Sequence, residues 1–247
     1  MRRAFASLLL LVPTSAHADI DWRRVNPGRR SFFSDAEPTA TGTFEVEAGI
    51  GASDRFASGT AQWILKYGLS DDVDVRVNVE HTVWGADFDL AGTSLLIKYS
   101  LRHPDDGVLG VAVEPYLTVP SLSGGPEGFG GGALFIATYL THDFQIDANA
   151  IFDVTTAHMA DTAVTLTPVV AISHDITDGL TGYVEPGIDF GLAGGGGTNA
   201  FVGLGLDHDL TQSLTVDAVV YVGAEPRTEV FVGLTYSVDP ARSTSDP

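Results

Sequence analysis

The chain has 247 residues, within the reach of one all-β domain. Asp and Glu number 32 against 13 Lys and Arg, a net charge of −19 that repels nucleic acid. Cysteine is absent, which excludes a disulfide scaffold and any thiolate site, and no internal run approaches the ~20 apolar residues of a membrane helix.

In chain order, the first segment reads as an export signal. Arg2 and Arg3 form a positive start, residues 4–12 are apolar, and Ala16-His17-Ala18 offers the small residues that a signal peptidase accepts. Cleavage is expected after Ala18, which leaves residues 1–18 as a signal peptide. Residues 19–39 come next and carry Arg23, Arg24, Arg29 and Arg30 together with Trp22, Phe32 and Phe33. Two readings stand for this basic, aromatic stretch: a loose periplasmic tail, or a plug drawn into an acidic interior by opposite charge.

From residue 40 to residue 238 one pattern recurs: an aromatic or apolar strand end, then a polar turn. It reads Tyr67-Gly-Leu-Ser-Asp-Asp72, Tyr99-Ser-Leu-Arg-His-Pro-Asp-Asp106 and Tyr139-Leu-Thr-His-Asp143. It returns as Ile172-Ser-His-Asp-Ile-Thr-Asp178 and Leu206-Asp-His-Asp-Leu-Thr-Gln212, and its strand end as Tyr236-Ser-Val-Asp239. Each interval holds two strands of the ~9–11 residues that cross a membrane at a tilt, with one short turn and one longer loop. The strands alternate: Val73, Val75, Val77 and Val79 against Asp74, Arg76, Asn78 and Glu80 is the clearest case. The expected fold is all-β, a transmembrane up-and-down antiparallel barrel of about twelve strands. Its short turns would face the periplasm and its longer, Gly-rich loops the outside. Alternation also suits a soluble sandwich with the apolar face turned inward. The nearly charge-free apolar stripe, and Tyr67, Tyr99, Tyr139, Phe144 and Tyr236 gathered at one end as an interfacial girdle, favour the barrel. The chain closes with a polar tail, residues 239–247.

Gly42-Thr-Phe-Glu-Val-Glu-Ala-Gly49 and Lys66-Tyr-Gly-Leu-Ser-Asp-Asp-Val-Asp-Val-Arg76 resemble the first strand and second hairpin of a family of outer-membrane transporter barrels. The family includes the barrel proteins encoded with phenol-degradation (meta-cleavage) pathways. Ser94-Leu-Leu-Ile-Lys-Tyr99 and Tyr116-Leu-Thr-Val-Pro120, followed by Gly124-Gly125, extend the resemblance, which covers residues 42 to about 238. It implies fold and an outer-membrane location, with outer-membrane lipid and the barrel-assembly machinery as partners. Small solutes, hydrophobic or aromatic ones among them, would be its cargo. It carries over no catalytic residue.

An enclosed polar face would receive Asp74, Glu80, Glu114, Asp147, Asp153, Glu185, Asp189, Asp217 and Glu229, opposed by Lys66, Arg76 and Lys98. An acidic interior favours cations over anions. The three bases are expected to pair with acids on adjacent strands. Glu114-Pro115 and Glu185-Pro186 set a carboxylate beside a ladder-breaking proline in two strands. Enzyme readings find little support. His103, His142, His174 and His208 all belong to the turn repeat, His81 and Glu80 point to opposite faces of a strand, and no Gly-x-Ser-x-Gly elbow is present. Ser94 near His81, and His158 near Asp161, are the weak constellations that remain. No cofactor or metal is implied. The expected function is passive passage of small solutes through a cation-preferring lumen. The alternatives are a non-conducting structural or adhesive barrel, and a hydrolase at the rim.

Overall fold

The computed structural model describes residues 34–53, 58–84, 87–120, 129–156, 162–194, 197–223 and 228–238. Twelve strands follow in order: β1 (Phe44–Ser53), β2 (Ser58–Ser70), β3 (Val73–Trp84), β4 (Asp87–Arg102), β5 (Leu109–Pro120) and β6 (Gly130–Leu140). Then come β7 (Gln145–Thr156), β8 (Thr162–Thr177), β9 (Leu180–Ala193), β10 (Thr198–Thr211), β11 (Leu214–Gly223) and β12 (Thr228–Val238). Each pairs antiparallel with its sequence neighbours, and β1 pairs with β12 from Phe44↔Val238 to Ser53↔Glu229. The sheet is therefore a closed barrel without an edge, which is how a sheet satisfies its backbone in lipid.

Closure decides which way the apolar stripe faces. Ile50, Leu65, Val77, Leu95, Leu117, Phe135, Phe152, Val170, Ile188, Leu204, Val220 and Val232, one from each strand, are all exposed. So continuous an apolar surface marks a lipid-facing belt rather than a wet one. The alternate residues turn inward and are buried, among them Glu47, Lys66, Asp74, Lys98, Asp147, Glu185 and Thr235. A sandwich would show the reverse distribution. Tyr67, Tyr99, Tyr139, Phe144 and Tyr236 stand exposed at one rim, where an amphipathic ring suits the headgroup layer.

Hairpin lengths follow the expected asymmetry with two departures. Residues 71–72, 178–179 and 212–213 make two-residue turns, and residues 141–144 a four-residue one. The connection of residues 103–108 is longer than its neighbours, and Asp106 bridges sideways to Leu140 of β6. At the opposite end β3 stops at Trp84 and β4 starts at Asp87, a gap as short as a turn, whereas β5 stops at Pro120 and β6 starts at Gly130. The turn histidines tie neighbouring hairpins together. His174 Nδ1 lies 2.5 Å from the Asp143 carbonyl, and His208 Nδ1 lies 2.9 Å from the Gly179 carbonyl. Each reaches back one hairpin, which explains why the repeat carries a histidine at that place.

Candidate functional site in the barrel lumen

The inner wall has two chemically distinct arcs. Along β8–β12 it carries an apolar cluster, Val169, Tyr183, Phe201, Val219, Tyr221 and Phe231, set among buried polar groups such as Glu185, Thr215 and Asp217. Four of the cluster members are rings, and each sits on the glycine directly across the ladder: Phe231 on Gly51, Phe201 on Gly187, Tyr221 on Gly203 and Tyr183 on Gly205. A Cβ at any of these glycines would overlap the ring it faces. The missing side chain is what lets the ring lie flat against the wall. The Tyr221 hydroxyl donates to Glu185 Oε2 at 2.8 Å, which gives that buried carboxylate a partner.

Along β1–β7 the wall is ionic near the turn end. Lys66 on β2 pairs with Glu47 on β1, and with Glu45 at 3.5 Å. Arg76 on β3 donates from Nε to Asp74 Oδ1 at 2.8 Å and reaches Glu114 on β5 with Nη1 at 3.0 Å. Lys66 thus has an adjacent-strand partner, while the Arg76 guanidinium spans β4 to meet an acid two strands away. Nearer the loop end the same arc is polar, and its charged members, Glu80 and Asp153, are acids only. Gln62 donates to Asn78 at 3.0 Å, and the Ser94 and Thr118 hydroxyls lie 2.7 Å apart.

Lys98 departs from the adjacent-strand expectation, because its partners belong to the chain before β1. Residues 34–43 form a strap that runs from the turn-end rim, where Thr41 is exposed, across the inner face of β2–β6. Lys98 Nζ donates to Ser34 Oγ (2.8 Å), the Asp35 carbonyl (2.8 Å) and the Glu37 carbonyl (3.2 Å), with the Asp35 carboxylate at 3.4 Å. Ala36 is fully buried against Ala112 and Ile136, and its N–H donates to Thr138 Oγ1 at 2.8 Å. The Thr138 hydroxyl in turn donates to Asp147 Oδ1 at 2.6 Å, and Gln145 Nε2 donates to the other oxygen of that carboxylate at 2.8 Å.

Further along the strap, the Thr39 N–H donates to Asp74 Oδ2 at 2.7 Å. The Gly42 N–H donates to the Gly68 carbonyl, and the Gly68 N–H donates to the Thr43 carbonyl. A Cβ on Gly68 would strike the Thr39 and Ala40 carbonyls, so this close passage requires glycine there. At the rim, the His103 ring lies between two carboxylates, Nδ1 2.9 Å from Glu37 Oε2 and Nε2 2.9 Å from Asp72 Oδ1.

The other inward acids are dispersed. Asp153 accepts from the Tyr116 hydroxyl at 2.5 Å and the Thr155 hydroxyl at 2.8 Å, and Asp189 accepts from Thr167 at 2.7 Å. Glu80 stands opposite Gln62, Asp217 opposite Asp207, and Glu229 opposite Tyr221. Pro115 and Pro186 face outward, and the paired registers step past both, from Leu96↔Tyr116 to Tyr99↔Val113 and from Val169↔Gly187 to Ile172↔Val184. Sequence reasoning passed over Glu45 and Glu47, although they alternate with Val46 and Ala48. It also passed over the inward rings, which look like any other strand aromatics. Arg23, Arg24, Arg29 and Arg30, Ala16 and Ala18, His158 and the polar tail lie outside the described residues. Ser94 is engaged by Thr118, and His81 stands in register with Ala61 and Leu90.

No family model matches the chain, and no curated protein matches it. Solved structures do. The COG4313 outer membrane channel from Pseudomonas putida F1 is similar with a TM-score of 0.63 at 11% identity, over 87% of this chain and 100% of that one. The NanC porin aligns with a TM-score of 0.61 at 8% identity, over 77% and 98%. The KdgM porin in complex with oligogalacturonate aligns with a TM-score of 0.59 at 11% identity, over 78% and 98%.

The fold is that of a bacterial outer-membrane barrel. The lipid-facing belt agrees with that location, and the neighbours are porins and channels. At these identities the likeness speaks for the fold alone.

Proposed function

We propose that the protein is a passive outer-membrane channel for small solutes, gated by its own N-terminal segment. The observation that carries this reading is the seat of Lys98, a buried ammonium whose hydrogen-bonded oxygens among the described residues all come from the strap. Such a bond set holds the strap to the wall by hydrogen bonds and an ion pair alone, and these would break when the strap swings out about its joint with β1. The four arginines upstream would add attraction to the acidic interior. With inward acids outnumbering Lys66, Arg76 and Lys98, the open state would prefer cations. An acidic sugar chain of the kind named for the KdgM porin would meet like charge here. The aromatic arc of β8–β12 suits apolar or aromatic solutes, as the resemblance to the phenol-degradation barrels implies. The reading also takes residues 1–18 as a cleaved signal and the assembly machinery as the partner that inserts the barrel.

Deleting residues 19–38 removes the Lys98 ligands and tests the proposal in planar bilayers. The expected result is a larger single-channel conductance, with a reversal potential in a salt gradient that reports cation preference. Unchanged conductance would rule out gating by the strap, and anion selectivity would rule out the acidic-filter reading. The burial of so many inward side chains favours a second reading, a filled structural barrel. A liposome-swelling assay on the deleted form separates the two, because a structural barrel stays impermeable.

A further inference from the structure

We propose that His103 is a pH-sensitive latch on the strap, holding Glu37 to Asp72 of the β2–β3 turn while its ring carries both protons. This rests on the gating reading above and adds the regulation of the same site. Both ring nitrogens lie 2.9 Å from a carboxylate oxygen. A neutral imidazole has one donor and one acceptor, so it can satisfy only one of two ionised carboxylates. The other contact then sets a nitrogen lone pair against an oxygen lone pair. An imidazolium donates to both.

The charged groups around the latch come from each element that meets it. Glu37 belongs to the strap, where Asp35 and Lys98 act on it in opposite senses. Asp72 belongs to the β2–β3 turn, beside Asp71, which accepts from the Thr41 hydroxyl at 2.6 Å. On its own segment, Arg102 precedes His103 and Asp105 and Asp106 follow it. The hydrogen bonds to Asp72 and then Glu37 raise the His103 pKa, against a smaller opposing effect of burial. The Asp72 bond remains when the strap leaves, so only the Glu37 share is linked to docking. Burial raises the Glu37 carboxyl as well. Both groups hold protons more tightly with the strap in place. Docking is therefore favoured at lower pH, where His103 holds both protons with the strap away or in place, and weakens as pH rises through the further raised value of docked His103.

The chain has no cysteine, so Thr39→Cys gives a single reporter on the strap. Its labelling by a membrane-impermeant maleimide is measured in proteoliposomes from about pH 6 to about pH 8.5, the range in which histidine titrates. Rates are divided by those of the same reporter in a His103→Gln background, which cancels the thiol's own pH dependence. The expected ratio starts well below that of an unlatched strap and climbs several-fold toward equality as pH rises. Glu37→Gln, a change on the strap rather than on the barrel, should flatten the profile in the same way. A ratio independent of pH overturns the latch, even where deletion of residues 19–38 raises conductance and leaves gating intact. Unchanged conductance on that deletion overturns gating instead, and the labelling profile still decides the latch as a contact.

Discussion

Buried charge sets the energetics at the scale of single residues. Arg76 lies within reach of Asp74 and Glu114, all three buried. Removing one member of such a set strands the others, at a cost of about 3–5 kcal/mol. Arg76→Met should therefore lower the urea midpoint of the refolded barrel, followed by tryptophan fluorescence. The glycines beneath the rings make a second case. Gly187→Ala would drive a methyl group into Phe201. Overpacking of this kind costs about 1–3 kcal/mol, and the same unfolding assay reads it. Pairing Gly187→Ala with Phe201→Leu should recover part of the loss, since the smaller side chain vacates the space.

Among the elements, the short-turn hairpins act as a belt. His174 and His208 each bond the backbone of the preceding turn. Exposed hydrogen bonds are worth about 0.5–1.5 kcal/mol each, so His174→Ala and His208→Ala should cost little singly. Together they should speed hydrogen exchange in residues 178–179 and 212–213 while leaving the strand centres protected. Wild-type exchange in the double variant would remove the belt from the account. The histidine repeat was visible in the sequence, and the lack of a converging nucleophile pointed to structure over catalysis. Its bonding rule was not visible, because a contact one hairpin away depends on barrel tilt and stagger.

For the whole molecule, closure is the property most readily tested. A sealed barrel migrates faster on a gel before boiling than after it, and an unchanged mobility would contradict closure. Much of this architecture was legible, because a period of two in Val73 to Glu80 fixes both faces of a strand at once. Asp74, Lys98 and Glu114 could be placed on the inner face by the same reasoning. Their partners could not, since Lys98 meets Ser34, 64 positions away. The aromatic arc was hidden for another reason: alternation puts Phe231 on the face of Glu229 and Thr235, but nothing in the strand's own sequence says that its ring packs on Gly51 of β1.

The strap leads the barrel in sequence, yet its seat is assembled from strands that come later. Ala36 bonds Thr138 across 102 positions, so the seat is incomplete until β6 has joined the sheet. The leading segment cannot take up these bonds until the strands that carry their partners are in place. A barrel caught before that last step would be shut at its seam, with Lys98 and Thr138 still lacking their strap partners.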